Sequence, residues 1–220
     1  MKLIKVSLVT SLLISIVLGA EKNSDIDVNA NMAIASNYIW RGMTQSDDSP
    51  AIQGGIDLGY KNFYAGVWGS NVEYGNSSEA SMELDIYAGY ADKFYGLDYD
   101  IGAISYIYPN ESKELNFAEI YFGLSKNFET FEIGAKYYRG IETNDFDPTD
   151  AWEADVSVPL PMSITFSALY GDYDNVGNYY SFGITKAMDK FEIGLVYTGI
   201  EADADSSDED NVVAVISASF

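Results

Sequence analysis

Hydrophobic and polar positions alternate with a period of two along most of the chain from Ile26 onward. In one such segment, Ile56 and Leu58 fall on one face, while Gln53 and Asp57 fall on the other. Alternation of this kind is typical of a β-strand with one apolar and one polar face. Many of the segments extend over about ten residues, which is the length that a tilted membrane-spanning strand requires and more than most soluble strands have.

Twelve alternating segments can be distinguished, and they predict an all-β protein, a transmembrane antiparallel up-and-down β-barrel of about 12 strands. Both faces of the third segment carry apolar side chains, so the pattern does not decide whether Phe63 and Val67 or Tyr64 and Trp68 face outward. The segments lie near residues 26–41, 50–60, 63–73, 80–91, 96–108, 116–125, 131–141, 151–158, 163–171, 178–186, 191–200 and 211–220.

The connections between the segments alternate in length. Those after even-numbered segments are short, as at residues 61–62 and 187–190, and lysines lie in or beside them. Those after odd-numbered segments are mostly longer and acidic, as at residues 42–49, 142–150 and 201–210. With both termini on one side, the short turns lie in the periplasm and the long loops outside, which is the asymmetry of bacterial barrels. A soluble sandwich has no reason to alternate turn length in this way.

The first 20 residues are typical of a signal peptide. Lys2 and Lys5 provide the basic start, residues 8–18 are apolar, and Gly19 and Ala20 supply the small residues that signal peptidase requires. The apolar stretch is too short to span a bilayer as a helix. We therefore expect residues 1–20 to be a signal peptide and residues 21–220 to form one barrel domain in the outer membrane of a Gram-negative bacterium.

The composition narrows the classes of function. The chain has 34 acidic and 12 basic residues and a formal net charge of −22, which argues against nucleic acid as a partner because phosphates require basic patches. It contains no cysteine and no histidine, which removes disulfides, thiol nucleophiles, serine–histidine hydrolysis and histidine metal sites. We expect no catalytic residue, no metal site and no cofactor. A mechanism based on paired aspartates is the one enzymatic alternative, and the sequence singles out no such pair.

The polar face of each strand is expected to line the lumen, because the apolar face contacts lipid. Unpaired charges are costly away from water, so an acidic lining implies a hydrated interior. Carboxylates at a constriction favour cations, whereas the alternative is a solvated, partly paired lining without selectivity. The predicted pore-lining residues are Arg41, Asp57, Glu83, Asp85, Asp98, Asp100, Glu119, Glu132, Lys136, Glu153, Asp155 and Glu192.

Arg41 is singled out because it ends the first predicted strand, at the outer rim, and faces an acidic lumen. Its planar guanidinium could bind an anionic solute or narrow the pore. The structural alternative is an ion pair with a neighbouring acid such as Asp57 that fixes the first loop.

The aromatic residues predict girdles at the two membrane interfaces. The alternative, a sugar-stacking path, needs aromatic side chains on the inward face, where the pattern places Tyr87, Tyr106, Tyr121 and Tyr138. The residues assigned to the outward girdles are Tyr38, Trp40, Tyr60, Tyr90, Trp152, Tyr170, Tyr180 and Tyr197.

The expected partners follow from these features. Lipid and lipopolysaccharide surround the barrel, and small solutes pass through it. The acidic loop at residues 203–210 lacks the glycine and the glutamate of a calcium-binding EF-hand loop, so a solvated loop is favoured over a metal site. The last strand ends in Phe220, which resembles the signal read by the barrel-assembly machinery.

Residues 36–48 read SNYIWRGMTQSDD, residues 50–55 read PAIQGG, and residues 63–70 read FYAGVWGS. This combination resembles the TorF family, a group of small Gram-negative outer-membrane proteins regarded as porins. The specific part of the resemblance covers residues 36–72, and the rest of the chain is similar in hairpin rhythm, size and ending. The resemblance implies an outer-membrane barrel and a channel, but it supplies no substrate and no catalytic residues.

Two functional hypotheses from different classes follow. The first is a porin-like transport channel for passive diffusion of small hydrophilic solutes, with a preference for cations. The second is a structural or adhesive outer-membrane barrel that does not conduct. Barrels of eight strands are filled by side chains and those of sixteen or more enclose an aqueous channel. A barrel of about twelve lies between these sizes, so an inward loop could occlude it.

Overall fold

The computed structural model describes residues 26–75, 78–111, 115–142, 148–203 and 208–220. The predicted signal peptide, residues 1–20, lies outside this part of the chain.

Twelve of the described strands form one closed antiparallel barrel, as the alternation predicts. A separate two-stranded sheet, β2 and β3, lies in the first loop. The barrel strands are β1 (Ile26–Ala35), β4 (Ala51–Tyr60), β5 (Phe63–Asn71), β6 (Met82–Phe94), β7 (Leu97–Ile107), β8 (Phe117–Asn127), β9 (Glu132–Ile141), β10 (Ala151–Leu160), β11 (Ile164–Tyr173), β12 (Gly177–Met188), β13 (Phe191–Ala202) and β14 (Glu209–Ser219), and the loop strands are β2 (Ile39–Trp40) and β3 (Met43–Thr44).

The barrel closes where β1 pairs with β14 on one side and with β4 on the other. At this seam Asn31 lies opposite Ser219 and Ala35 lies opposite Val215. Backbone hydrogen bonds in both directions, of 3.1 and 2.8 Å, join Ala30 and Phe220 just beyond the paired residues. Closure leaves no unpaired edge, which a sheet in lipid requires because lipid offers no hydrogen-bond partners.

The outer face of the barrel is apolar and exposed. Ile52, Ile56 and Leu58 of β4 expose 66%, 50% and 50% of their surface, which would be unfavourable in water and is expected against lipid tails. A closed barrel with such a face is an integral protein of the bacterial outer membrane. Among the described residues, no helix is both long and apolar enough to cross a membrane.

Strand β5 resolves the ambiguity of the third predicted segment. Tyr64 and Trp68 are buried inside the barrel, whereas Phe63 and Val67 are exposed on its outer face.

Four tyrosine rings on the inner face each lie over a glycine on the adjacent strand, where an added Cβ would overlap the ring. These cross-strand pairs are Gly66–Tyr87, Gly89–Tyr64, Gly102–Tyr121 and Gly171–Tyr179.

The first predicted strand is too long by six residues. The sequence pattern continues to Arg41, but β1 ends at Ala35, and the chain then turns into the barrel. Further along the loop, two left-handed residues, Arg41 at φ 48° and Gly42 at φ 82°, form the turn between β2 and β3. A side chain at Gly42 would overlap the carbonyl oxygen of Gly199, so only glycine allows this close approach.

Candidate functional site

Residues 36–50, which we term the inward loop, fold into the lumen. Tyr38, Ile39 and Arg41 are 7%, 4% and 3% exposed, so the central part of the loop is as buried as a protein core. The inward loop therefore narrows the lumen between β1 and the opposite strands.

Polar side chains within the inward loop hold its conformation. The hydroxyl groups of Thr44 and Ser46 both donate to the Asn37 Oδ1 atom, at 2.8 and 2.9 Å. The Tyr38 amide donates to the Ser46 hydroxyl, and the Gln45 amide donates to the Tyr38 carbonyl. Short polar residues commonly make such local bonds in turns, which explains why this segment does not continue as a strand.

Arg41 forms a buried ion pair with Glu119 of β8. Its Nη1 and Nη2 atoms donate to the two oxygens of Glu119 at 2.7 and 3.0 Å, and Tyr106 donates to the same carboxylate at 3.0 Å. The expected partner Asp57 was wrong, and Arg41 does not end a strand of the barrel. The inward turn carries Arg41 across the lumen, because residues 36–41 are not part of β1.

Three aromatic rings surround the guanidinium of Arg41. Its Cζ atom lies 4.4 Å from the ring centroid of Trp40, 4.8 Å from that of Tyr138 and 4.7 Å from that of Tyr173. Burial lowers the pKa of Arg41, but the Glu119 carboxylate raises it, and the net pKa lies above its ordinary value. Arg41 is therefore permanently charged inside the barrel.

Glu83 of β6 makes the second contact between the barrel wall and the inward loop. Tyr38 from the loop donates to one of its oxygens at 2.8 Å, and Tyr108 donates to the other at 2.7 Å. The ring of Tyr38 also packs edge-on against Trp68, with centroids 5.5 Å apart. Two carboxylates on the wall, Glu83 and Glu119, thus position the loop.

The same arrangement of tyrosine hydroxyl and carboxylate recurs elsewhere on the inner face. Tyr138 and Tyr179 donate to the two oxygens of Glu153 at 2.9 and 3.2 Å. Tyr87 donates to Asp57. Hydrogen bonds to an ionised acceptor are stronger than neutral ones, so these pairs satisfy charges that would otherwise be costly to bury.

Asp100 has both a tyrosine and a lysine as partners. Tyr64 donates to one of its oxygens at 2.7 Å, and the Lys136 Nζ atom lies 3.7 Å from the other. Lys136 also lies over the ring of Tyr121, at 4.9 Å from the centroid. A second cation of the predicted lining is therefore paired with an acid.

Asp85 differs from the other inner carboxylates. It is fully buried, and neither of its oxygens has a hydrogen-bond partner among the described residues. It is paired with Tyr106 on the adjacent strand β7, and Tyr106 itself donates to Glu119.

The structure places all twelve predicted lining residues inside the barrel, but in two groups. The first group consists of residues that are at most 7% exposed, namely Arg41, Glu83, Asp85, Glu119 and Glu153. The others are partly exposed; Asp98 pairs with Lys93 at 3.0 Å, and Glu132 accepts from Asn127 at 3.1 Å. The remaining members of this second group are Asp57, Asp100, Lys136, Asp155 and Glu192.

The prediction of outward girdles was wrong for Tyr38 and Trp40, which lie inside the barrel on the inward loop. The predicted inward set was also too small, because further rings face the lumen. The signal was present in β5, where Tyr64 and Trp68 share one parity. The predicted girdle residues on the outer face are Tyr60, Tyr90, Trp152, Tyr170, Tyr180 and Tyr197, and the additional inward rings are Tyr64, Trp68, Tyr108, Phe117, Tyr173 and Tyr179.

The acidic loop at residues 203–210 is only partly described, because residues 204–207 lie outside the described chain. Within the described part, Asp208 accepts a hydrogen bond from the Ala202 amide at 2.8 Å.

Comparison with known proteins places this geometry among membrane barrels. Residues 19–220 match the family described as "Bacterial protein of unknown function (Gcw_chp)". No curated protein sequence matches the chain. Similar solved structures include the KdgM porin, with a TM-score of 0.62, 9% identity and coverage of 87% of this chain and 99% of that chain. A further KdgM structure is a complex with disordered oligogalacturonate, with a TM-score of 0.61 and 8% identity over 88% of this chain and 98% of that chain.

Two other barrels are also similar. The NanC porin has a TM-score of 0.59 and 12% identity, with 88% of this chain and 99% of that chain covered. Outer membrane phospholipase A from Escherichia coli has a TM-score of 0.51 and 11% identity, with 87% and 90% covered. At such identities the likeness shows a shared fold.

Proposed function

Because the chain belongs to the Gcw_chp family of bacterial proteins and forms an outer-membrane barrel, we propose that it is a porin-like channel. The channel carries small hydrophilic solutes by passive diffusion and prefers cations. Its resemblance to the TorF family in residues 36–72 supports the same proposal.

The charge of the inner face is the observation that carries this proposal. Ten of the twelve lining residues are acidic, against Arg41 and Lys136, and both of these bases are already paired with acids. The excess of carboxylates attracts cations into the barrel and repels anions.

The inward loop sets the width of the channel. Glu83, Asp85 and Glu119, all near the outer ends of β6 and β8, are no more than 1% exposed, so the inward loop covers this part of the wall. Passage of a solute between the loop and this part of the wall therefore requires the loop to move or its side chains to rearrange. Loop motions of this kind occur on a nanosecond to microsecond scale, and the buried contacts slow them further.

The ligand of one similar barrel does not transfer to this one. Oligogalacturonate, which is bound by KdgM, is a chain of carboxylate-bearing sugars. The acidic lining described here opposes the entry of such a polyanion. We assign no enzymatic activity, because the chain has no histidine or cysteine to act with a nucleophile.

The proposal includes two kinds of partner besides solutes. Lipid and lipopolysaccharide surround the exposed apolar face, and the barrel-assembly machinery recognises β14 through Phe220. The side chain of Phe220 is 67% exposed on the outer face, where such a partner can reach it.

Planar-bilayer recordings of the purified barrel test the channel. We expect discrete openings and, under a KCl gradient, a reversal potential of the sign that a cation-preferring pore gives. Replacing Glu132 and Asp155 with Gln and Asn lowers this preference, because both face the lumen and neither contacts the inward loop. Asp92→Asn is the matched control, since Asp92 lies on the outer face. A folded barrel that never conducts would contradict the proposal.

The buried contacts between the inward loop and the outer ends of the strands favour a second candidate, a structural or adhesive barrel without a conducting path. Its inner tyrosine–carboxylate pairs then serve only to fill and stabilise the interior. In that case the protein gives no openings in the recordings described above, although a shift in its gel migration on heating shows that it is folded.

A further inference from the structure

The groups that surround the Arg41 guanidinium belong mostly to the barrel wall and not to the loop that carries it. Glu119 is on β8, Tyr106 is on β7 and Tyr138 is on β9. Tyr173 ends β11, so only Trp40 comes from the inward loop. Rigid strands therefore hold a carboxylate and flanking rings in an arrangement that fits a planar cation.

This arrangement is specific for a guanidinium group. Both oxygens of Glu119 are engaged by the two Nη atoms, at 2.7 and 3.0 Å, which is the paired geometry that a planar fork makes with a carboxylate. Two rings of the wall, Tyr138 and Tyr173, have centroids 4.8 and 4.7 Å from Cζ and add favourable cation–π contact. An ammonium group offers neither the fork nor the flat surface for stacking.

Asp85 provides an independent observation beside this site. Its carboxylate is fully buried, and neither oxygen has a hydrogen-bond partner among the described residues. Burying an unpaired carboxylate costs far more than burying a paired one. A second positive charge beside Asp85, which is paired with Tyr106 of the site, would therefore be stabilised.

We propose that Glu119, Tyr106, Tyr138 and Tyr173 form a binding site for the guanidinium group of a small organic cation, and that Arg41 occupies this site when the inward loop is in place. Asp85 favours solutes that carry a second positive charge near the guanidinium. The inference rests on the proposed channel function, for which it names the class of solute. The solute takes the place of Arg41 when the loop moves.

Rescue of an Arg41→Ala variant by a free guanidinium compound tests the site. The variant leaves Glu119 buried without its cation, and methylguanidinium is small enough to replace the lost group. A ligand at ten times its dissociation constant multiplies the ratio of folded to unfolded protein by about 11. We therefore expect millimolar methylguanidinium to raise the unfolding temperature of Arg41→Ala in detergent micelles, relative to NaCl at equal ionic strength.

Two controls separate the site from general effects of the ion. The double variant Arg41→Ala/Glu119→Gln lacks the carboxylate and should show no rise, and methylammonium should raise the unfolding temperature of Arg41→Ala much less. Equal shifts in the single and double variants would overturn the proposal, as would equal shifts with the two cations.

The test also holds if Arg41→Ala does not fold alone. Refolding is then carried out with and without methylguanidinium and scored by the heat-dependent shift on a gel. Recovery of the folded band only with methylguanidinium supports the site. Equal recovery with and without it, or no recovery in either case, overturns the proposal.

Agmatine, which has a guanidinium and an ammonium group, tests the role of Asp85. It should stabilise Arg41→Ala at lower concentration than methylguanidinium, and Asp85→Asn should remove this advantage. An advantage that survives Asp85→Asn would overturn the role of Asp85. Because all these measurements use stability and not conductance, rescue without channel openings would leave the site standing and refute only the channel. Openings without rescue would do the reverse.

Discussion

At the scale of single residues, the ion pair between Arg41 and Glu119 is costly to disrupt. The two side chains are 3% and 0% exposed, so neither can recover its hydration if the other is removed. A buried charge that loses its partner typically destabilises a protein by about 3–5 kcal/mol. An exposed ion pair contributes about 1 kcal/mol or less, because water solvates both ends.

We expect Glu119→Gln to lower the free energy of unfolding by about 3 kcal/mol or more, because it leaves Arg41 buried and uncompensated. Asp98→Asn is the matched control: its pair with Lys93 is exposed at both ends, and the loss should stay below about 1 kcal/mol. Urea unfolding in detergent, followed by tryptophan fluorescence, measures both. Losses of equal size would contradict the structural assignment of the buried pair.

An ion pair was one of the two alternatives that the sequence offered for Arg41, and the structure shows one, although with Glu119 and not with Asp57. An inward arginine in an acidic lumen will find a carboxylate, and that much follows from composition. The actual partner is 78 residues away along the chain, at a position that depends on barrel closure and on how far the loop extends across the lumen. Neither quantity is encoded in a local pattern.

At the scale of elements, the strands were predictable and the inward loop was not. Each strand has a period-two pattern bounded by polar turns, and the lipid face makes this pattern strong. Residues 36–41 prolong the same alternation with Tyr38 and Trp40, so the pattern alone assigns them to the first strand and to the membrane interface. Their true course depends on the turn at Arg41 and Gly42 and on hydrogen bonds to Asn37.

The three tryptophans provide a direct test of where the inward loop lies. In variants that retain one tryptophan each, with phenylalanine at the other two positions, brominated lipids should quench Trp152 strongly. Trp152 is 43% exposed on the outer face, whereas Trp68 is 6% exposed inside the barrel and serves as the protected control. Trp40 should behave like Trp68. Quenching of Trp40 to the level of Trp152 would show that Trp40 lies at the membrane interface and would contradict the inward course of the loop.

At the scale of the whole molecule, closure of the barrel depends on the two ends of the described chain. Strand β14 pairs over ten positions with β13, but over only five with β1. The seam is therefore the least extensively paired junction of β14. The backbone bonds between Ala30 and Phe220 extend it by one further pair.

The proposed recognition of Phe220 by the barrel-assembly machinery predicts that Phe220→Ala reduces the amount of folded barrel in the outer membrane. The purified variant should still refold in detergent, since the seam bonds of Phe220 come from its backbone. Val212→Ala is the matched control, because Val212 is 66% exposed on the outer face of the same strand. The folded fraction is read from the gel shift of outer-membrane preparations, and equal amounts for both variants would contradict recognition of Phe220.

The four glycine–tyrosine pairs of the inner face restrict how this sequence can diverge. In each pair, a larger residue in place of glycine meets the ring on the next strand, and loss of the ring uncovers the glycine. Neither partner can change first without disturbing the wall, so relatives should replace both or neither. The resulting covariation would link β5 with β6, β7 with β8 and β11 with β12. An alignment of relatives would then carry a record of the strand register that a single sequence does not contain.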